Sequence, residues 1–387
     1  MRFDCAKNFP VKSIALAPRL GEEIEQLRTA VRAFLAEHVP RFSPEVRAAS
    51  WMSYDREFSR SLGAHGWIGM TWPKEYGGHE RSSLERYVVL EELLAAGAPS
   101  GAHWIADRQS GPLILRCGSE AMKRSILPRI ARGELTFSIG MSEPEIGSDL
   151  AGVQSRAERV AGGWKLTGTK LWTTFAHHAE YMIGLFRTSG SASDKHKGLS
   201  QFVIDLHTPG IEIRTIRELG GHDNFNEVAF RDAVIPEDAL LGEEGAGWSQ
   251  VVSELALERS GPERYLSSFR LLVEAIDAAE KSDTRATTEL GIMYAELVTL
   301  RQMSLGIAAM LGEGKDTGIA AAVVKDLGVT FEQRIPHAIH DMFGRELLGS
   351  DDLTRVQAVT TEMAPGFSLR GGTREILRSL IGRELLR

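Results

Sequence analysis

The chain has 387 residues, 43% apolar and 25% charged, which is too long for one small core and too apolar for a disordered protein. A formal net charge of −7, with Lys and Arg spread along the chain, disfavours nucleic acid or an anionic membrane as partner. Only Cys5 and Cys117 are present and no metal-ligand spacing occurs, so a reducing compartment and no metal site are expected.

The opening MRFDCAKNFPVKSIALAPRL lacks the apolar run of a signal peptide, and nothing later reaches transmembrane length. A soluble, cytoplasmic protein is expected. Helical periodicity then begins in EEIEQLRTAVRAFLAEHV, where Ile24, Leu27, Val31, Phe34 and Leu35 recur at three and four residues. LERYVVLEELLAA and EAMKRSILPRIARG read the same way, with the turn-rich connector GMTWPKEYGGHE between the first two helices.

From about Phe137 the apolar period changes to two. WKLTGTKLWTT, YMIGLFRTS, SQFVIDLHT, IEIRTIRE and NEVAFRDAVI are short, rich in β-branched and aromatic residues, and separated by turn formers. They predict a β-barrel or sandwich. After GEEGAGW, long helical patterns return as SQVVSELALERSGPERYLSSFRLLVEAIDAAEK, ELGIMYAELVTLRQMSLGIAAMLGEG and TGIAAAVVKDLGVTFEQRIPHAIHDMFG, the pattern of an antiparallel bundle. The expected fold is multidomain α+β: an N-terminal helical domain (1–136), a middle β domain (137–241) and a C-terminal four-helix bundle (242–387). Alternating βαβ units and a GxGxxG opening a helix are both missing, which disfavours a Rossmann dehydrogenase.

Three stretches carry candidate chemistry. FSIGMSEPEIGSDLAGVQSRAE, from Phe137, leads into the β domain through a loop whose Ser142, Ser148 and amides around Gly147 offer neutral donors. By spacing alone it is a loop of turn residues. KLWTTFAHHAEYMIGL sets Trp172, Thr173 and Thr174 at a strand end, where tryptophan ordinarily packs. RGGTREILR, Arg370 to Arg378, joins two glycines, free to adopt angles closed to other residues, to Thr373 as a helix N-cap.

The first two stretches resemble the acyl-CoA dehydrogenase flavoproteins, whose pattern there is close to TEPxAGSD followed by KxWITN. PKEYGG matches the family's P-x-x-x-G-G, and EVAFRDAVIPEDALLGEEGAGW matches the strand and linker before its bundle. The resemblance spans nearly the whole chain and implies an FAD-dependent enzyme that desaturates an acyl-CoA thioester. Electrons would pass to an electron-transfer flavoprotein, and the assembly would be a homo-oligomer, a tetramer or dimer. By the same resemblance Met141, Ser142, Gly147, Ser148, Trp172, Thr174 and Thr373 would contact the cofactor. Ser142 would bond the pyrimidine edge, Ser148 would lie by the pyrophosphate, Thr174 would bond flavin N5, and Trp172 would wall the ring. Phe175 stands where the family has asparagine.

The family reaction needs a carboxylate to take the Cα proton and donors for the thioester oxygen. In many members the carboxylate is the Glu of a YEGT turn, which aligns with Arg370-Gly371-Gly372-Thr373, so Gly371 replaces the base but keeps its backbone N–H. Other members carry the carboxylate in a pattern like LERxxxA on the first bundle helix, and Leu257-Glu258-Arg259 is in register with it. Pro262 lacks an N–H and its ring crowds the carbonyl of Glu258, so a kink one turn after Glu258 is expected. By itself a helical Glu followed by Arg reads as a solvated pair. The resemblance makes Glu258 the base, with Gly371 N–H on the thioester and Trp104, Ser148 and Arg259 toward substrate. Glu254 and Glu263 are the weaker alternatives.

GAHWIADRQSGP falls where the family lines its acyl pocket, although Asp107-Arg108 reads as a surface pair. Asp341 stands where a glutamine is expected for the adenine half of the cofactor, with Arg345 near it and Arg285 without its usual Phe-Gly. Two further readings therefore remain: an oxidase or monooxygenase on the same fold, and a non-catalytic subunit of a heterotetramer.

Overall fold

The computed structural model describes residues 17–259, 261–279, 283–344, 349 and 351–386, with backbone alone at 255–258. These residues form two compact units. One holds the described parts of Met1–Ser53, Ser82–Pro99 and Glu258–Arg387; the other holds Tyr54–Arg81 and Ser100–Leu257.

In the helical unit, α1 (Glu22–His38) buries Val31, Phe34 and Leu35, the stripe expected from its periodicity. After α2 (Pro44–Ala49), the next helix of this unit is α4 (Ser83–Ala96). It starts in a reciprocal capping box between Ser82 and Glu85 and stops at Gly97, whose φ of 73° ends the helix. α4 packs against both α1 and α10 (Thr284–Gly312), so even Glu91 and Glu92 are buried. Arg28 bridges them at 2.9 and 2.6 Å, and Arg301 binds Glu91 at 2.6 Å. The unit is completed by α9 (Phe269–Ala278), α11 (Gly318–Phe343), α12 (Asp352–Phe367) and α13 (Arg374–Leu385). α11 packs against α9, α10, α12 and α13.

The expected kink after Glu258 is a break. α8 (Gly247–Glu258) stops at Glu258, Gly261 is extended at ψ 164°, and a single 3-10 turn, Pro262–Arg264, precedes α9. Pro262 cannot supply the N–H that would close on the Glu258 carbonyl, and its ring collides there. With a glycine beside it, the chain leaves the helix instead of bending it.

The sheet unit contains α3 (Arg56–Ala64), α5 (Gly101–Ile105), α6 (Gly111–Cys117), α7 (Glu120–Ala131) and seven strands. These are β1 (Phe137–Gly140), β2 (Arg156–Val160), β3 (Gly163–Thr174), β4 (Tyr181–Arg187), β5 (Leu199–Asp205), β6 (Ile211–Ile216) and β7 (Phe225–Pro236). The order is β1-β4-β2-β3-β7-β6, with β5 paired to β4, and β2 meets β4 at the one ladder position Arg156/Arg187. The sheet folds over at that joint. Phe186 and Phe202 from β4 and β5 meet Trp164 and Phe230 from β3 and β7, with ring centroids about 5 to 6 Å apart in edge-on geometry. The seven strands thus form one sheet around an aromatic core, in the β domain expected as a barrel or sandwich, and Trp164 ties β3 into that core.

Candidate active site

β3, in the sheet unit, carries the first group of candidate residues. Its pairing with β7 slips by one residue between Lys170/Val228 and Thr173/Asn226, and the extra residue includes Trp172 in the left-handed region at φ 59°. A bulge of this kind re-aims a side chain. Trp172 is 55% exposed, edge-on to Phe225 at 6.1 Å, so it is not the packed residue that its strand position suggested. Thr174 follows, half-buried, its carbonyl accepting from Ser138 Oγ at 2.9 Å. Phe175 adopts φ 55°, a conformation asparagine tolerates better, and is held there by burial against Tyr54 and by its N–H on the Asn224 carbonyl at 2.8 Å.

The loop after β1 lies alongside. Ser142 is half-buried and its carbonyl accepts Leu171 N–H at 2.9 Å, which ties the loop to β3. Glu143 and Ile146 exchange two backbone bonds, leaving Pro144 and Glu145 at the tip and Gly147 and Ser148 exposed beyond it. Met141, Ile146 and Leu150 pack against an apolar cluster of Val153, Leu185, Leu199 and Val251.

Glu143 and Lys170 lie within the two motifs, and the periodicity did not single them out. Lys170 is fully buried and bonds Glu143 Oε1 at 2.8 Å, while Gln154 and Ser155 N–H close on the same carboxylate at 2.8 and 2.9 Å. Burial pushes the Lys170 ammonium down to about 8 against the pull of Glu143. For Glu143 burial acts upward, but the Lys170 charge and the hydrogen bonds outweigh it and hold the carboxyl below its ordinary value. The pair locks the donor loop onto the strand that presents Trp172 and Thr174.

Trp104 is buried on α5, with the Arg108 guanidinium 5.2 Å from its ring centroid. A π-helical turn, Ala106–Ser110, brings both Asp107 and Arg108 inside, so they are not a surface pair. Asp107 Oδ1 accepts the Gly69 N–H at 2.8 Å, which satisfies a backbone donor inside the unit. Glu254, on α8, is buried and bonded to Gln201 at 3.4 Å.

The helical unit carries a second group of candidate residues, described within that unit. The Glu258 side chain lies outside the described residues; its backbone is the last of α8. Arg259, the next residue, is buried and donates from Nε to the Gly371 carbonyl at 3.0 Å, joining the end of α8 to the diglycine turn. Gly371 and Gly372 take φ 64° and 92°, which explains the glycines there. Thr373 occupies the N-cap position of α13, but its hydroxyl makes no bond to a first-turn amide. It turns to Glu375 instead, whose carboxyl is held below its ordinary value by its own backbone N–H and then by Thr373. Glu263 is fully buried with Arg264 at 3.2 Å. Asp341 and Arg285 are exposed, and Arg345 lies outside the described residues.

An outward indole plane, with serine hydroxyls and glycine amides on the loop bonded to the same strand, suits a flat, hydrogen-bonding ring system such as a flavin. With the helix–strand–helix order, these features define a flavin-dependent oxidoreductase. The models for the N-terminal, middle and C-terminal domains of acyl-CoA dehydrogenase match residues 21–134, 138–233 and 245–386, and the chain belongs to the acyl-CoA dehydrogenase family, with FAD as cofactor. Acyl-CoA dehydrogenase FadE26 of Mycobacterium tuberculosis is 28% identical, over 92% of this chain and 95% of that protein. The solved structure of the Tcur3481-Tcur3483 steroid ACAD superimposes with a TM-score of 0.85 at 25% identity, covering 95% of this chain and 98% of that one. The ChsE4-ChsE5 complex from Mycobacterium tuberculosis gives 0.80 at 28% identity, covering 95% and 98%.

The exposure of Trp172 makes one consequence testable at once. Trp172→Ala is expected to weaken FAD binding roughly tenfold, the scale of one aromatic contact. Folding stability should change by less than about 1 kcal/mol, as for a surface substitution. Flavin content after dialysis, beside a urea denaturation curve, measures both.

Proposed function

We propose that the chain desaturates an acyl-CoA thioester at its α,β bond, with Glu258 as the base. The observation that supports this reading is the Arg259–Gly371 hydrogen bond, which fastens the residue after Glu258 to the turn whose own carboxylate is missing. Bound FAD supplies the hydride acceptor for the Cβ hydrogen. The protein's own groups do the rest. Glu258 takes the Cα proton, the Gly371 amide donates to the thioester oxygen as charge develops, and Ser142 and Thr174 hold the ring edge. Gly147, Ser148 and Met141 shape the loop beside the cofactor, Trp172 covers a face of the ring, and Trp104 and Arg259 serve the substrate side. Thr373 keeps the turn at the start of α13. An electron-transfer flavoprotein would then reoxidise the enzyme.

A visible spectrum followed by anaerobic titration with straight-chain, branched and steroid acyl-CoAs tests the reading. At least one of them should bleach the flavin. Failure of the whole panel, with rapid peroxide formation after chemical reduction and exposure to air, would replace it by an oxidase.

For assembly, a homo-oligomer is the first reading. A hetero-oligomer with a related chain is the second, favoured by Asp341 at the expected glutamine position and by the relative crystallised as a ChsE4-ChsE5 complex. A stable, flavin-loaded oligomer of this chain alone would dismiss the second.

A further inference from the structure

Lys325 is a lone cation in the apolar run AAAVVKDLGV of α11, and it is fully buried. A buried ammonium is retained only where its N–H groups find acceptors. Here Nζ donates to the carbonyls of Arg370 and Gly372, while Arg259 Nε takes the intervening carbonyl of Gly371 at 3.0 Å. Three successive carbonyls of the diglycine turn are thus held by two buried cations. The flank of the turn is anchored as well: Arg370 bonds Glu332 at 2.8 Å and both the Ser267 hydroxyl and the Glu263 carbonyl at 2.9 Å.

In a trans peptide the C=O and the following N–H point in opposite directions. Drawing the carbonyls of residues 370 and 372 onto Lys325 therefore turns the amides of Gly371 and Thr373 to the opposite side. Among the described residues neither amide donates to a backbone carbonyl. Successive amides presented in this way form an anion-binding concavity, and a cation on each carbonyl strengthens the N–H behind it.

We propose that Lys325 is a positioning residue that aims the Gly371 and Thr373 amides at the thioester oxygen, with Arg259 fixing the peptide between them through the Gly371 carbonyl, a claim resting on the reading above that this turn receives the thioester. When the Cα–H bond breaks and its proton goes to the base, the electron pair left behind delocalises onto that oxygen. The two amides stabilise it there, and both cations act on it through the carbonyls of the turn.

The test uses flavin-loaded enzyme and acetoacetyl-CoA, whose bound enolate is followed by its near-ultraviolet absorbance against pH. In wild type the bound ligand should ionise at a lower pH than the free one. Lys325→Met, of similar length but without donors, should weaken that shift by about tenfold or more in proton affinity while retaining FAD, as loss of aimed oxyanion donors predicts. Unchanged enolate ionisation in a flavin-loaded Lys325→Met overturns the proposal. Should that variant not accumulate as folded holoprotein, Arg259→Gln takes its place, with a severalfold shift expected and no shift again overturning it. The readout is an equilibrium of the ligand, so it stands even if Glu258 is not the base. Wild-type binding with no enolate stabilisation would instead remove the turn as thioester site, and the proposal with it.

Discussion

Glu258→Gln is expected to lower kcat by about 10³-fold, within the range for removing a positioned general base. Glutamine keeps the shape and hydrogen-bonding capacity of the side chain but cannot accept a proton at neutral pH. FAD content and acyl-CoA affinity, read from perturbation of the flavin spectrum, should therefore stay near wild type. A variant within tenfold of wild-type turnover would move the base elsewhere. The two other carboxylates of this stretch are poorly suited to that role. Glu254 is bonded to Gln201, and Glu263 is fully buried beside Arg264.

The largest stability effect is expected at the Glu143–Lys170 pair. Removing one partner strands a buried charge, and Lys170→Met or Glu143→Gln should each cost about 3–5 kcal/mol. Replacing both by apolar residues should recover much of that loss, which urea denaturation of the three variants would show. The Glu143 carboxyl is depressed in the folded state, so its contribution is complete above its unfolded value near 4.5 and is lost as pH falls through the folded one. The stability gap between wild type and Glu143→Gln should accordingly narrow in acid. A constant gap from neutral pH to about pH 3 would show that the charge of Glu143 plays no part.

Local pattern was enough for the elements whose signal is local. Alternation marked β3 to β7, and the stripes of α1 and α4 marked their helices. β2, RAERV, escaped because only Ala157 is buried, with charges at Arg156, Glu158 and Arg159 and an exposed Val160 at its end. The helix break after Glu258 was visible as Gly261-Pro262, although the pattern alone could not separate a bend from a stop. Tertiary facts were harder to read. Glu143 and Lys170 lie 27 residues apart and show no periodicity that links them, and the outward turn of Trp172 depends on a one-residue slip against β7. Asp107 and Arg108 looked solvated because their burial comes from a π-helical turn with no strong sequence mark. Lys325 did leave a mark, a charge interrupting an apolar helical face, which is a usable sign of a buried cation with backbone partners.

Under the proposed function the proton-abstracting carboxylate sits at the end of α8 and not in the diglycine turn. Anaerobic stopped-flow mixing of flavin-loaded enzyme with an acyl-CoA that bleaches the wild type addresses it without involvement of the electron acceptor. Bleaching should be fast in wild type and slower by about 10³-fold in Glu258→Gln at saturating ligand. Bleaching of Glu258→Gln at the wild-type rate would contradict the assignment.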